Sequence, residues 1–134
     1  MIALDASVII AHLNRADPHH EAATQTLLDA TPGRMLVHTV TLAEVLVGGV
    51  RIGQGASMQN DLHAAGIVLA PYHDDEPLRL AELRVSTGLR LPDCCVLGVA
   101  IHHRASLATF DSTLADVAHR NGVALARHCQ SAGD

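Results

Sequence analysis

The sequence predicts an α/β fold, a mostly parallel sheet flanked by helices. Two observations lead there. Short apolar runs bounded by turn residues alternate along the chain with longer stretches of helical periodicity, the pattern of successive βα units. The first of these runs lacks polar alternation, as expected of a strand covered on both faces. In such a sheet the carboxyl ends of strands and the starts of the succeeding helices share one edge, where ligands bind.

Taken in order, residues 1–4 read as a first, central strand ending at Asp5, and Val8-Ile9-Ile10-Ala11 with Leu13 as a first helix packing back on it. Asp5 either caps that helix or faces a ligand at the sheet edge. Asp17 before Pro18 is a helix-start signal for a helix from Pro18 to Ala30, stopped by Thr31-Pro32-Gly33. Met35-Leu36-Val37-His38 is a second strand. Thr39 or Thr41 can then cap a helix carrying Leu42, Val45, Leu46 and Gly49. Glu44 is the one charge in that apolar stretch; it either reaches out to solvent or is held by a partner such as a metal. Gly48, Gly49, Gly53 and Gly55 form a link around Arg51 without Walker spacing or its lysine.

A helix over 56–65, with Gly66 after it, leads to Ile67-Val68-Leu69 as a third strand. Asp74-Asp75-Glu76-Pro77 opens a helix whose acids suit the positive end of its dipole. Leu78, Leu80, Ala81, Leu83 and Val85 supply its packing faces, and Ser86-Thr87-Gly88 ends it. The most apolar helix follows from Pro92, with a single acid, Asp93, in its first turn; Gly98 and Ala100 permit close approach, to strand one for example. Ser106-Leu107-Ala108-Thr109-Phe110 is a fourth strand with Asp111 after it, then a helix over 112–121, Gly122, and Val123-Ala124-Leu125 as a fifth. Asp116 and Arg120 are spaced for an ion pair. A single domain over 1–134 is expected, with 128–134 a frayed tail.

Composition narrows the function. With 49% hydrophobic residues but one Phe, one Tyr and no Trp, the core must be aliphatic. No apolar run approaches membrane-spanning length and the N-terminus lacks a basic leader, so a cytoplasmic protein without membrane association is expected. Three cysteines, Cys94, Cys95 and Cys129, have no framework or zinc spacing and suit a reducing compartment, with Cys94-Cys95 as small apolar filler. Net charge is −5 and all nine basic residues are arginine. That disfavours unaided nucleic-acid binding, although a divalent ion would reverse the sign of an acidic pocket. Four acids, Asp5, Glu44, Asp93 and Asp111, fall where the topology brings strand ends and helix starts together. Two unit charges ~4 Å apart repel by about 4 kcal/mol at an effective dielectric of ~20. Such a group needs protons or a hard cation, and oxygen-only ligation suits Mg²⁺ or Mn²⁺.

The set Asp5-Ala6-Ser7, Glu44-Val45-Leu46-x-Gly48, Leu91-Pro92-Asp93 and Ala108-Thr109-Phe110-Asp111 resembles the PIN-domain ribonucleases. Over the whole length it is most similar to the VapC-type toxins of bacterial type II toxin–antitoxin pairs. The resemblance implies a PIN-like three-layer α/β/α fold with four to five strands, and hydrolysis of RNA by water on a carboxylate-bound Mg²⁺, or Mn²⁺. Asp5 and Asp93 would be the main metal ligands, Glu44 and Asp111 completing the site directly or through water, and Ser7 would hold Asp5. Thr113 stands where the family often has a further acid, for which Asp116 is a possible substitute. Arg15, Arg51 and Arg90 are candidates for the RNA backbone, with ordinary surface charge as the alternative for each. A homodimer and a cognate VapB-type antitoxin are the implied partners. Receiver domains and haloacid-dehalogenase phosphatases use similar sheets but want a lysine, and the latter a second Asp where Ser7 stands. From another class, the chain could be a non-catalytic PIN-like module that binds an ion and a partner.

Overall fold

The computed structural model describes residues 1–32 and 34–130. Four strands of three residues each, β1 (Ile2–Leu4), β2 (Met35–Val37), β3 (Ile67–Leu69) and β4 (Ser106–Ala108), form a parallel sheet in the order β3-β2-β1-β4. Ile2 is in register with Met35 and Ser106, and Ala3 with Leu36 and Leu107. Because successive strand residues point to opposite faces, the sheet divides two cores. Leu4, Met35, Val37, Ile67 and Ala108 enter one; Ala3, Leu36 and Leu107 enter the other.

Helices α1 (Ala6–Leu13), α2 (His20–Asp29), α3 (Thr39–Arg51) and α4 (Gly55–Ala64) cover the first face. Helices α5 (Glu76–Thr87), α6 (Leu91–His103) and α7 (Ser112–Arg120) cover the second. The result is the expected three-layer α/β/α arrangement, and its cores are aliphatic. Cys94, Cys95 and Cys129 are buried free thiols within them.

Several elements differ from expectation, each for a local reason. The fifth strand shrinks to one parallel bridge between Leu125 and Leu107, because the chain turns at once into a short 3-10 helix (Arg127–Cys129). That helix buries Cys129, and His128 Nε2 donates to Asp29 Oδ2 at 2.6 Å, so 128–130 is not a frayed end. The rest of the expected tail, 131–134, lies outside the described residues. Helix α2 starts two residues after Pro18, since Asp17 instead closes a turn in which its Oδ1 accepts from His19 N at 2.8 Å.

Neither Thr39 nor Thr41 caps α3. His38 does, its Nδ1 accepting from Val40 N at 3.0 Å. That assigns the ring proton to Nε2, which donates to Glu76 Oε1 at 2.6 Å and ties the start of α3 to the start of α5. Thr41 is buried, and among the described residues its hydroxyl has no partner. On α5, Leu78 and Val85 are 63% and 87% exposed, so only Leu80 and Leu83 pack inward. They meet Gly98, where an added Cβ would stand 3.6–3.7 Å from both; the close approach of α6 at Gly98 is therefore to α5, not to β1. Among the described residues no Asp116–Arg120 ion pair forms.

Candidate functional site

Asp5 ends β1 and is the N-cap position of α1, but its side chain caps nothing. Its backbone N donates to Ala108 O at 2.9 Å, which fixes the strand end against β4. Its Oδ2 accepts two hydroxyl donors, Ser7 Oγ and Thr109 Oγ1, each at 2.7 Å. Both hydroxyls are themselves oriented from behind: Ser7 Oγ accepts from Phe110 N at 3.1 Å and Thr109 Oγ1 from Asp111 N at 3.0 Å. With their one proton each committed to Asp5, the two hydroxyls fix its rotamer. Among the described residues no hydrogen bond falls on Oδ1, the oxygen left for a ligand.

Asp111 follows β4 by way of Thr109 and Phe110 and does cap its helix. Its Oδ1 accepts from Thr113 N and Leu114 N at 2.9 and 3.1 Å. Asp93 lies in the first turn of α6 after Pro92, half-buried, with Arg90 Nε 3.9 Å from its Oδ2. Glu44 sits one turn further into α3 than its capped start. Four elements thus bring four acids to one edge of the sheet, and the charges act on one another. Partial burial, followed by the charges of Asp5 and Asp93, pushes the Glu44 carboxyl above its ordinary range, with Arg90 opposing. Burial likewise raises Asp93; Arg90 pulls it down, while Asp111 and Asp5 push it up. Glu44 thus feels Asp5 and Asp93, and Asp93 feels Asp5 and Asp111, with Arg90 opposing in both cases.

The group is open rather than closed. Among the described residues no three His, Cys, Asp or Glu side chains stand close enough together to hold a metal ion. In chemistry, however, the donors fit one: all are carboxylate oxygens, two have raised pKa values, and Asp5 Oδ1 is unspent. Ser7 is where the sequence put it. Arg90 reaches the acids, but it is 84% exposed on its side chain. Arg15 follows the far end of α1 from Asp5, and Arg51 ends α3 seven residues beyond Glu44, about 10 Å along the axis. Neither these two nor Asp116 is among the charges that shift the acids.

Two residues carry more of the site than their sequence context suggested. Thr109 is 1% exposed and is the second donor to Asp5; a threonine between a strand and an acid was the available signal. Phe110, the one phenylalanine in the chain, is only half-buried and lies flat against the exposed ring of His19, with centroids 4.4 Å apart and planes 10° from parallel.

Comparison with known proteins agrees with this architecture. The family model described as PIN domain matches residues 2–120. Among solved structures, a toxin–antitoxin complex from Klebsiella pneumoniae is 24% identical, with 83% of this chain and 86% of that one covered and a TM-score of 0.68. FitAcB from Neisseria gonorrhoeae is 19% identical over 98% of this chain and 100% of its own, with a TM-score of 0.71. VapBC2 from Rickettsia felis, bound to a DNA fragment from its promoter, is 16% identical over 93% and 97%, with a TM-score of 0.66. At these identities the likeness is one of fold. No curated protein matches the sequence.

Proposed function

The chain belongs to the PIN domain family, and from that premise we propose that it is the nuclease toxin of a toxin–antitoxin pair. Its reaction is Mg²⁺- or Mn²⁺-dependent endonucleolytic hydrolysis of RNA, restrained by a cognate VapB-type antitoxin. The observation that carries this reading is that Asp5 and Asp93 push the Glu44 carboxyl up while Asp5 and Asp111 push Asp93 up, against the opposing charge of Arg90. The similarity to toxin–antitoxin complexes from Klebsiella pneumoniae and Rickettsia felis supports the assignment of partner. We further propose a cytoplasmic, single-domain homodimer; no described helix is long and apolar enough to cross a membrane.

In this reading Asp5 and Asp93 would hold the ion, with Glu44 and Asp111 completing the set directly or through water. A bound divalent ion supplies a water of lowered pKa and offsets charge building on the phosphate. Ser7 and Thr109 lock the Asp5 carboxylate so that it does not have to be ordered when the ion arrives. Asp111, anchored by the α7 amides, offers its remaining oxygen to the same edge. Arg90 lies between Asp93 and solvent, placed to exchange its carboxylate contact for a phosphate oxygen. Arg15 and Arg51 are candidates for phosphates further along the RNA backbone, and Asp116 is the candidate substitute for the further acid.

The test is cleavage of total RNA by folded, antitoxin-free protein with Mg²⁺ or Mn²⁺, beside Asp5→Asn. Cleavage by the wild type alone, leaving 5′-phosphate and 3′-hydroxyl ends, is expected. A 2′,3′-cyclic phosphate product, or full activity in Asp5→Asn, rejects the mechanism. The other reading is a non-catalytic PIN-like module that binds an ion and a partner; matched inactivity of both folded proteins would select it.

A further inference from the structure

We propose that the stacked His19–Phe110 pair is a platform on which an unpaired base of the RNA stacks beside the acidic site, an inference that rests on the nuclease reading above. The chain has one phenylalanine, and an otherwise aliphatic protein has placed it between Thr109 and Asp111. Phe110 is partly buried against the core that holds Leu4, Val8 and Leu42, and its backbone N donates to Ser7 Oγ, which itself donates to Asp5, so the residue is anchored beside that carboxylate. His19 covers the ring in parallel at 4.4 Å and is itself exposed, which leaves a second flat face toward solvent.

His19 is also fixed in place. It occupies the N-cap position of α2, its N donates to Asp17 Oδ1 at 2.8 Å, and its carbonyl accepts from Ala23 N at 2.9 Å. A ring whose main chain is fixed on both sides and which already stacks on Phe110 loses little freedom on binding. The charge balance gives such a surface a purpose. At a net charge of −5 with nine cations, the protein has little basic surface with which to hold a phosphate backbone. Base stacking on aromatic or histidine rings is the other general source of affinity for single-stranded RNA, and it does not depend on charge. A base on His19 would extend the pile Phe110–His19–base and hold the strand beside Asp111, the residue that follows Phe110.

The experiment compares wild type, His19→Ala and His19→Phe in steady-state cleavage of a single-stranded RNA carrying 2-aminopurine, with Mg²⁺. For His19→Ala, KM is expected to rise about ten-fold while kcat changes by less than about two-fold, the signature of lost uniform binding. His19→Phe should restore KM, wild type should quench 2-aminopurine fluorescence and His19→Ala should not. The shift in melting temperature on adding Mg²⁺ should be the same in all three. An unchanged KM in His19→Ala, a fall in kcat alone, a failure of His19→Phe to restore binding, or an altered Mg²⁺ shift would each overturn the platform. If wild type cleaves RNA and His19→Ala matches it, the platform alone falls; if wild type neither cleaves nor binds RNA, the nuclease reading falls and takes the platform with it.

Discussion

Replacing Glu44 by Gln should make the metal-free protein more stable, contrary to the usual effect of losing a native charge. Glu44 is disfavoured as a carboxylate first by partial burial, then by Asp5 and Asp93, with only Arg90 in its favour. Two repulsions against one attraction leave one uncompensated pair, about 0.5 kcal/mol for partly solvated charges. Glu44 is exposed, so burial adds little and the gain stays at about 0.5 kcal/mol, roughly 1–3 °C in melting temperature for a chain of this size. The sign with pH follows from the raised pKa. The folded state holds the proton of Glu44 more tightly than the unfolded chain, so the penalty grows as pH rises through the ordinary glutamate range near ~4.3 and is complete above the raised value. The gap between variant and wild type should therefore be full at about pH 7.5 and close on acidification. Mg²⁺ should reverse the order. At ten times its dissociation constant a ligand adds about 1.4 kcal/mol to whichever protein binds it, and Glu44→Gln should receive less. Thermal melts in EDTA and in Mg²⁺ over a pH series measure all of this. A variant that melts below wild type in EDTA at neutral pH would refute the crowding argument, because a Glu44 that stabilises the fold is not waiting for a cation.

Further expectations follow from single contacts. Thr109→Val removes a 2.7 Å donor to Asp5 and strands the Asp111 amide; RNA cleavage and metal affinity should fall about 10–100-fold, with Thr109→Ser recovering most of both, and equal activity in Thr109→Val would deny the hydroxyl its role. His38→Ala loses the α3 cap and the link to Glu76, and should cost about 1–2 kcal/mol in urea unfolding; His38→Asn, which can still cap, should cost less. The thiols should be inert in the native protein, since all three are buried and burial pushes Cys95 up to about 11; iodoacetamide followed by mass spectrometry should find three modifications only after unfolding, and rapid native alkylation would contradict the packing.

How much of this was legible in the sequence depends on which physics set each feature. The order of strands and helices was readable because three-residue apolar strands covered on both faces leave a plain signature between turn residues. The four candidate acids stand out in the sequence because each is a lone charge beside an apolar stretch, and a parallel sheet directs such positions to one edge. Features decided by tertiary partners were not. His38 is a poor cap by propensity and serves as one because Glu76 orients its ring. Leu78 and Val85 have the right spacing for a buried face, but the leucines that α5 turns toward α6 are Leu80 and Leu83. Asp116 and Arg120 have the right spacing for an ion pair, and exposed partners gain too little from pairing to hold one geometry. The stacking of His19 on Phe110 joins residues 91 positions apart, which no local pattern could announce.

The donors to Asp5 come from the two extremes of the chain: Ser7 from its start, Thr109 from its last quarter. Synthesis proceeds from the N-terminus, so Asp5 leaves the ribosome a hundred residues before the strand that will finish it. A nascent or prematurely terminated chain that stops short of β4 has neither Thr109 nor Asp111, and its Asp5 swings free. The centre is among the last things the polypeptide completes, so a chain that stops before β4 lacks one donor to Asp5 and one of the four acids.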